Sequence, residues 1–291
     1  MKSTFGLKAV LILITLYFTY MGEISAQTNN FTLAPGAIQQ KNSIKAVRKN
    51  VQDHLLENLT WPELAAKLKD GYTTVIVPTG GTEQGGPQLT MGKHNFIVQY
   101  AAMRVAQEVG LTLVAPILPF VPEGGFERPS GNLLYPGTIA LSEDTFAKSL
   151  IDISTSLYMS GFKLIVLMAD HGQSMPVQEL VAQNLTKAWE PYGVRVVNLN
   201  AYYDASIEAM VLNRAGIIQS DWGDHAGVAD TSELWFVRPE ALRPKLLKSL
   251  TKDSGATGKP ELASALLGRE MMDLRVKAGT QQLRTFITSR H

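Results

Sequence analysis

Cysteine is absent from this chain of 291 residues. No disulfide can staple the fold, so stability must come from a packed core. No thiolate can hold a metal either, so any metal site must be built from imidazoles and carboxylates. Net charge is nearly absent too, with 27 Lys and Arg against 26 Asp and Glu. That balance gives no electrostatic reason to expect a nucleic-acid partner. The one basic stretch, "KNSIKAVRKN" at 41–50, reads as a solvated helix face. Histidine is scarce: His54, His94, His171, His225 and His291 are the full set. A search for imidazole chemistry is therefore short.

Long apolar runs are also lacking. The longest spans Ala9 to about Met21, short of the roughly twenty residues that a membrane helix needs. Lys2 and Lys8 precede it and the small residues "ISA" follow. This is the three-part layout of a secretory signal peptide, with cleavage expected near Ala26 or Gln27. An uncleaved anchor is the competing reading. The expected organisation is a signal peptide over 1–27, a polar arm over 28–50 and one α/β domain over 51–291. The mature chain is expected to be exported, in the periplasm or beyond it, with no stable membrane insertion after cleavage.

From residue 59 onward the sequence alternates helical and strand patterns. "LTWPELAAKLKDG" (59–71) starts on Thr60 as N-cap, carries Pro62 and Glu63 in its first turn, and stops at Gly71. "TTVIVPTG" (73–80) is a β-branched run, as expected of a buried strand. A helix is expected over 95–110, a strand over 111–120, a Gly/Pro-rich loop over 121–138 and a helix over 142–161 with Ser142 as N-cap. A strand over 162–172, a helix over 176–193 and a strand over 194–203 follow. Continuous apolar strands alternating with helices imply a mostly parallel β-sheet flanked by helices on both faces, in a single domain. In such folds ligands bind beyond the carboxyl ends of the strands.

Chemistry-bearing residues fall at those ends. Glu83 lies in "GGTEQGG", His94 in "MGKHNF", Asp170, His171 and Gln173 in "MADHGQS", and Asp224, His225 and Asp230 in "GDHAGVADTS". A water-activating metal needs about three N/O ligands and an open position, and Glu83, His94, His171 and one Asp would serve.

The same segments resemble the creatininase (creatinine amidohydrolase) family from about Leu59 to Pro239. "PTGGTEQGGPQLTMGKHNF" is similar to that family's P-x-G-S-x-E-Q-H-G-P-H-L-P-x-x-T-D signature. "YPGTIALSEDT" is similar to F-P-G-T-I-S-L, "VLMADHGQS" stands where the family has N-G-H, and "HAGVADTS" resembles H-A-G-E-x-E-T-S. The resemblance implies an α/β fold, a homo-oligomer (usually a hexamer), and hydrolysis of C–N bonds in small cyclic or formyl amides with one or two divalent metals. Carried across residue by residue, Glu83 and His171 are kept. One family His becomes Gly85, the next becomes Gln88, and the bridging Asp becomes His94. The Glu after the family's N-G-H becomes Gln173, and the Glu before T-S becomes Asp230.

The changed ligands imply one divalent ion per subunit, Zn before Mn or Fe, held by Glu83, His94, His171 and Asp230. His94 also reads as an ordinary first-turn residue, and Asp230 as a helix N-cap. His225 is the expected proton shuttle with Asp224 orienting it, against plain loop hydrogen bonding. Asp170 is expected to add negative charge or to accept the ring N–H of His171. Arg128, Trp222 and Gln173 are the candidates for substrate contact; a surface ion pair competes for Arg128 and packing for Trp222. The expected function is metal-dependent hydrolysis of a small cyclic amide, lactam or related C–N compound. A metal-assisted lyase, isomerase or lactonase, or an inactive small-molecule-binding protein, are the alternatives.

Overall fold

A computed structural model describes residues 54–289. The expected signal peptide and arm, and His291, lie outside the described residues. Four strands form one sheet, β1 (Thr74–Thr79), β2 (Thr112–Val114), β3 (Leu164–Ala169) and β4 (Arg195–Asn198), in the order β2-β1-β3-β4 with every pair parallel. β1 and β3 are buried along their whole length. That is why they read as apolar runs instead of alternating ones.

Side chains nonetheless alternate between two cores. Val75, Val77, Ile165 and Leu167 face one side, packed by α3 (Glu143–Ser160) and α4 (Met175–Trp189) through Phe146, Leu150, Val181 and Leu185. α1 (Trp61–Lys69) adds Leu64 and Leu68 to that layer. Ile76, Leu164, Val166 and Met168 face the other side. There they meet α2 (Lys93–Val109), α7 (Val228–Val237) and α8 (Ala265–Thr288) through Ile97, Ala101, Leu234, Met272 and Val276. α5 (Ala205–Arg214) and the single turn α6 (Gln219–Trp222) border the second layer. A satellite cluster of Val211, Val228 and Met271 joins them to α7 and α8.

The helix starts agree with the sequence. Thr60 donates its main-chain N–H to Glu63 at 2.7 Å, the reciprocal half of a capping box. Ser142 Oγ accepts from the Thr145 N–H at 3.2 Å. The expected 162–172 strand is trimmed to Leu164–Ala169, with His171 beyond it, and two other strands are much shorter than read. The 111–120 run pairs only through Val114, because Pro116 and Pro119 lack the N–H that a ladder needs, and it continues as single bridges such as Thr79 with Leu118. The 194–203 run ends at Asn198 and tightens into a 3-10 turn over Asn200–Tyr203.

The register positions the site. Thr79 on β1 lies opposite Ala169 on β3, and the Asp170 N–H donates to the Thr79 carbonyl at 3.0 Å. Both chains thus leave the sheet at one level, into the Glu83 loop and the Asp170–His171 turn. Gly80 is required here: a Cβ on it would overlap the side chain of Asn95 in the first turn of α2.

Candidate metal centre

Glu83, His94 and His171 bring ligand atoms within 4.8 Å of one another, and all three are buried. His94 Nε2 lies 2.8 Å from Glu83 Oε1, and His171 Nε2 lies 3.4 Å from Glu83 Oε2. The other ring nitrogen of His94 is held by Asp170 Oδ2 at 2.9 Å. This carboxylate–imidazole relay fixes the ring and leaves Nε2 aimed at the cluster, the arrangement that metal-ligating histidines adopt. Asp170 was expected beside His171, but it serves His94 instead. Its second oxygen accepts from the Tyr202 hydroxyl at 2.6 Å and lies 3.5 Å from Arg275 Nη1. His171 is steadied through its backbone, its carbonyl accepting from Ser174 Oγ at 2.7 Å.

Three further residues touch the cluster, and sequence reasoning missed them. Lys93 is fully buried and its ammonium lies 2.8 Å from Asp230 Oδ2 and 3.3 Å from Glu83 Oε1. Glu123, buried in the Gly/Pro-rich loop, lies 3.0 Å from His171 Nε2. Asn132 donates to Glu83 Oε2 and, at 3.3 Å, to Glu123 Oε2. The only signal for Lys93 is its place in the first turn of α2, where the helix dipole disfavours a cation. Glu123 and Asn132 sit in a loop without periodicity, and only the fold brings them inward.

Electrostatics bind the cluster together. Burial alone would raise the Glu83 carboxyl. Hydrogen bonds from His171 and His94 and the Lys93 charge outweigh it, so Glu83 is held well below the usual carboxylate range. Burial opposes charge on His171 as well, but hydrogen bonds to Glu123 and Glu83 push it up to about 9. Burial raises Glu123, with His171 pulling the other way. Asp230 is held low against its burial by the Lys93 ammonium. Burial opposes the Lys93 charge, but Asp230 and Glu83 outweigh it and raise the Lys93 pKa. Burial and the nearby Lys93 depress His225, so its ring is neutral at neutral pH.

The remaining expected residues are placed as follows. Asp230 lines the pocket but stands outside the Glu83–His94–His171 group; its Oδ2 is taken by Lys93 and by the Ala226 N–H at 2.7 Å. It lies in the first turn of α7, which begins two residues before the expected N-cap. His225 Nε2 is 2.8 Å from the Gln84 carbonyl, and its Nδ1 is 3.8 Å from Glu83 Oε1. The Gln84 carbonyl thus holds the ring. Asp224 is exposed at the pocket wall, its N–H bonded to Thr257 Oγ1 at 2.8 Å. Gln173 lines the wall, also exposed. Gln88 ties the His225 segment down by donating to the Ala226 carbonyl at 2.7 Å. Two candidates fall elsewhere. Arg128 is exposed on the outer loop, away from the lining. Trp222 turns its indole N–H to the Ile217 carbonyl at 2.8 Å and packs on the satellite cluster.

The pocket encloses about 310 Å³ and is lined mostly by charged and hydrogen-bonding side chains, with Tyr203 beside three imidazoles as its rings. Fold and site together define an α/β protein with a carboxylate–imidazole pocket at the carboxyl edge of its parallel sheet. The chain belongs to the creatininase family: the family described as creatinine amidohydrolase matches residues 57–283.

A creatinine amidohydrolase of Pseudomonas putida is 31% identical over 190 residues, 62% of this chain and 71% of the relative. A 3-dehydro-scyllo-inosose hydrolase of Thermotoga maritima is 24% identical over 184 residues, 63% of this chain. The match spans 56% of that relative's length, little more than half. Among solved structures, a creatininase with Mn superposes with a TM-score of 0.66 at 21% identity, covering 80% of this chain and 98% of the other. A creatininase variant of Zn-Zn type gives 0.67 at 20% identity over the same shares. At these identities the structures show the shared fold.

Proposed function

We propose that this chain is a metal-dependent amidohydrolase acting on a C–N bond of a small cyclic amide, lactam or related compound. The observation that carries the reading is the Glu83–His94–His171 group with His94 held from behind by Asp170. The donor set suits a divalent ion: a carboxylate and two imidazoles, one already oriented by an outer carboxylate. It does not discriminate among Zn, Mn and Fe. A divalent ion held there would supply Lewis acidity that polarises a carbonyl and makes water nucleophilic near neutral pH.

The protein's own groups would handle the protons. A carbonyl only accepts, so the contact with Gln84 places the His225 proton on Nε2. Nδ1 then presents a free lone pair on the Glu83 side. A neutral imidazole so placed can take a proton from the nucleophile and return it to the leaving nitrogen. Gln173 and Asp224, exposed in the wall, would contact the substrate's outer edge. The relationship to the Pseudomonas putida creatinine amidohydrolase supports the amide reading.

The polar lining favours one second reading. A wall rich in charged and hydrogen-bonding groups suits a hydroxyl-bearing ring as well as an amide, and the Thermotoga relative is named for an inosose. Export and homo-oligomeric assembly are part of the proposal. They rest on residues 1–27 and on the family resemblance respectively.

Metal content per subunit and hydrolysis should be measured together, for the chain and for His94→Ala. About one ion per chain, lost in the variant, with turnover of a cyclic amide, is the expected result. Turnover of cyclitol ketones alone would favour the second reading. A chain that stays empty after divalent ions are supplied would overturn the metal mechanism.

A further inference from the structure

Lys93 is the one ammonium inside the pocket, and its surroundings are those of an ion-binding position. Its side chain is fully buried. Its nitrogen is shared between Glu83 Oε1 and Asp230 Oδ2, at 3.3 and 2.8 Å. His225 Nδ1 approaches the same Glu83 oxygen at 3.8 Å. Two carboxylates therefore converge on one cation, which is a lysine, with the His225 imidazole beside one of them.

We propose that the Lys93 ammonium is a built-in second cation, which fills the place between Glu83 and Asp230 where a second divalent ion would bind and so sets the pocket to one ion. The inference rests on the metal-binding reading of Glu83, His94 and His171.

Three observations carry it. Among the described residues, that trio is the one group whose ligand atoms lie within 4.8 Å of one another; Asp230 is left out of it, its Oδ2 bonded to the ammonium. A creatininase variant that shares the fold is of Zn-Zn type. A divalent ion and an ammonium contending for the same oxygens in a dry site repel one another strongly. The side chain also reaches the pocket from a main chain fixed in the first turn of α2, so the charge cannot diffuse away. Unlike an ion, it is present whatever the supply of metal. In the other direction, Asp230 also orders the segment before α7 by accepting the Ala226 N–H. Lys93 thereby ties the His225 segment to Glu83.

The test is metal stoichiometry in the full chain, in Lys93→Ala, Lys93→Gln and the charge-keeping Lys93→Arg, after loading with Zn²⁺ and desalting. The expected result is about one ion in the parent and in the Arg variant. Lys93→Ala and Lys93→Gln should hold about one more, the extra ion weakening when n-propylammonium is added to refill the space in the Ala variant. Gln is one atom shorter than Lys, uncharged and able to hydrogen-bond, so it serves if the Ala variant does not fold. A folded Ala or Gln variant that still holds one ion overturns the inference. Two ions in the parent overturn it too, while leaving the metal-binding reading intact. No ion in the parent sinks the metal-binding reading itself.

Discussion

His94 Nδ1 and Asp170 Oδ2 stand 2.9 Å apart, joining the first turn of a helix to the end of the neighbouring strand. The bond decides which nitrogen of His94 faces the cluster. It also carries the pocket's charge pattern outward, through Asp170 to Tyr202 and Arg275.

Replacing Asp170 with Asn keeps the shape and removes the charge. Zn²⁺ affinity, measured by competition with a chromogenic chelator, should fall about 10–100-fold, the usual loss when an outer partner of a ligating histidine is altered. An unchanged affinity would mean that His94 is not a ligand.

Ion uptake should release protons. In the chain stripped of divalent ions, burial opposes the His171 charge, but hydrogen bonds to Glu123 and Glu83 raise its pKa to about 9, so it is charged at pH 7. A ligating imidazole must give up the proton on its ligating nitrogen. Calorimetric titration at pH 7 in buffers of different ionisation enthalpy should show at least one proton released per ion, and affinity should rise as pH approaches 9.

The same shift sets a stability profile for the stripped chain. The folded pKa lies above the unfolded value of about 6.5. The His171 contribution is therefore complete below about pH 6.5 and is lost as pH rises through about 9. Urea midpoints taken across pH 6 to 10 should decline over that window, and the decline should vanish in His171→Gln.

Arg275 on α8 is 2% exposed and carries Glu233 at 3.1 Å, along with Glu208 and Asp170. Cutting it to Ala would strand the buried Glu233. The cost should be about 3–5 kcal/mol, as for other buried pairs broken on one side. Denaturant unfolding reads it directly.

Gly268 lets α8 lie close against α7: a Cβ there would overlap the Ser232 carbonyl. Gly268→Ala should destabilise by about 1–3 kcal/mol through forced separation of the helices. Metal content per folded chain should be unchanged, since the helix contact lies outside the cluster.

Much of this was legible in the sequence. β1 and β3 announce themselves because buried parallel strands are apolar on both faces. Thr60 and Ser142 mark helix starts through local side-chain chemistry. Glu83 and His171 follow from strand ends. The rest depends on distant meetings. Lys93 looks like a surface lysine until Asp230, 137 residues away, is brought to it. Glu123 and Asn132 belong to a loop whose path is fixed by tertiary contacts alone. The α8 stripe is interrupted by the buried Arg275, so its period does not stand out. Arg128 and Trp222 looked apt by residue type, but the loop turns one outward and the satellite core claims the other.

The pairing of Thr79 with Ala169 has a consequence for assembly. Glu83 follows β1 by four residues, and Asp170 and His171 follow β3 directly. These side chains reach one point only when the two central strands lie in that alignment. A slip of a single position would turn alternate side chains to the opposite layer and scatter them. A divalent ion held by that group would therefore favour this one alignment of the sheet over every slipped one.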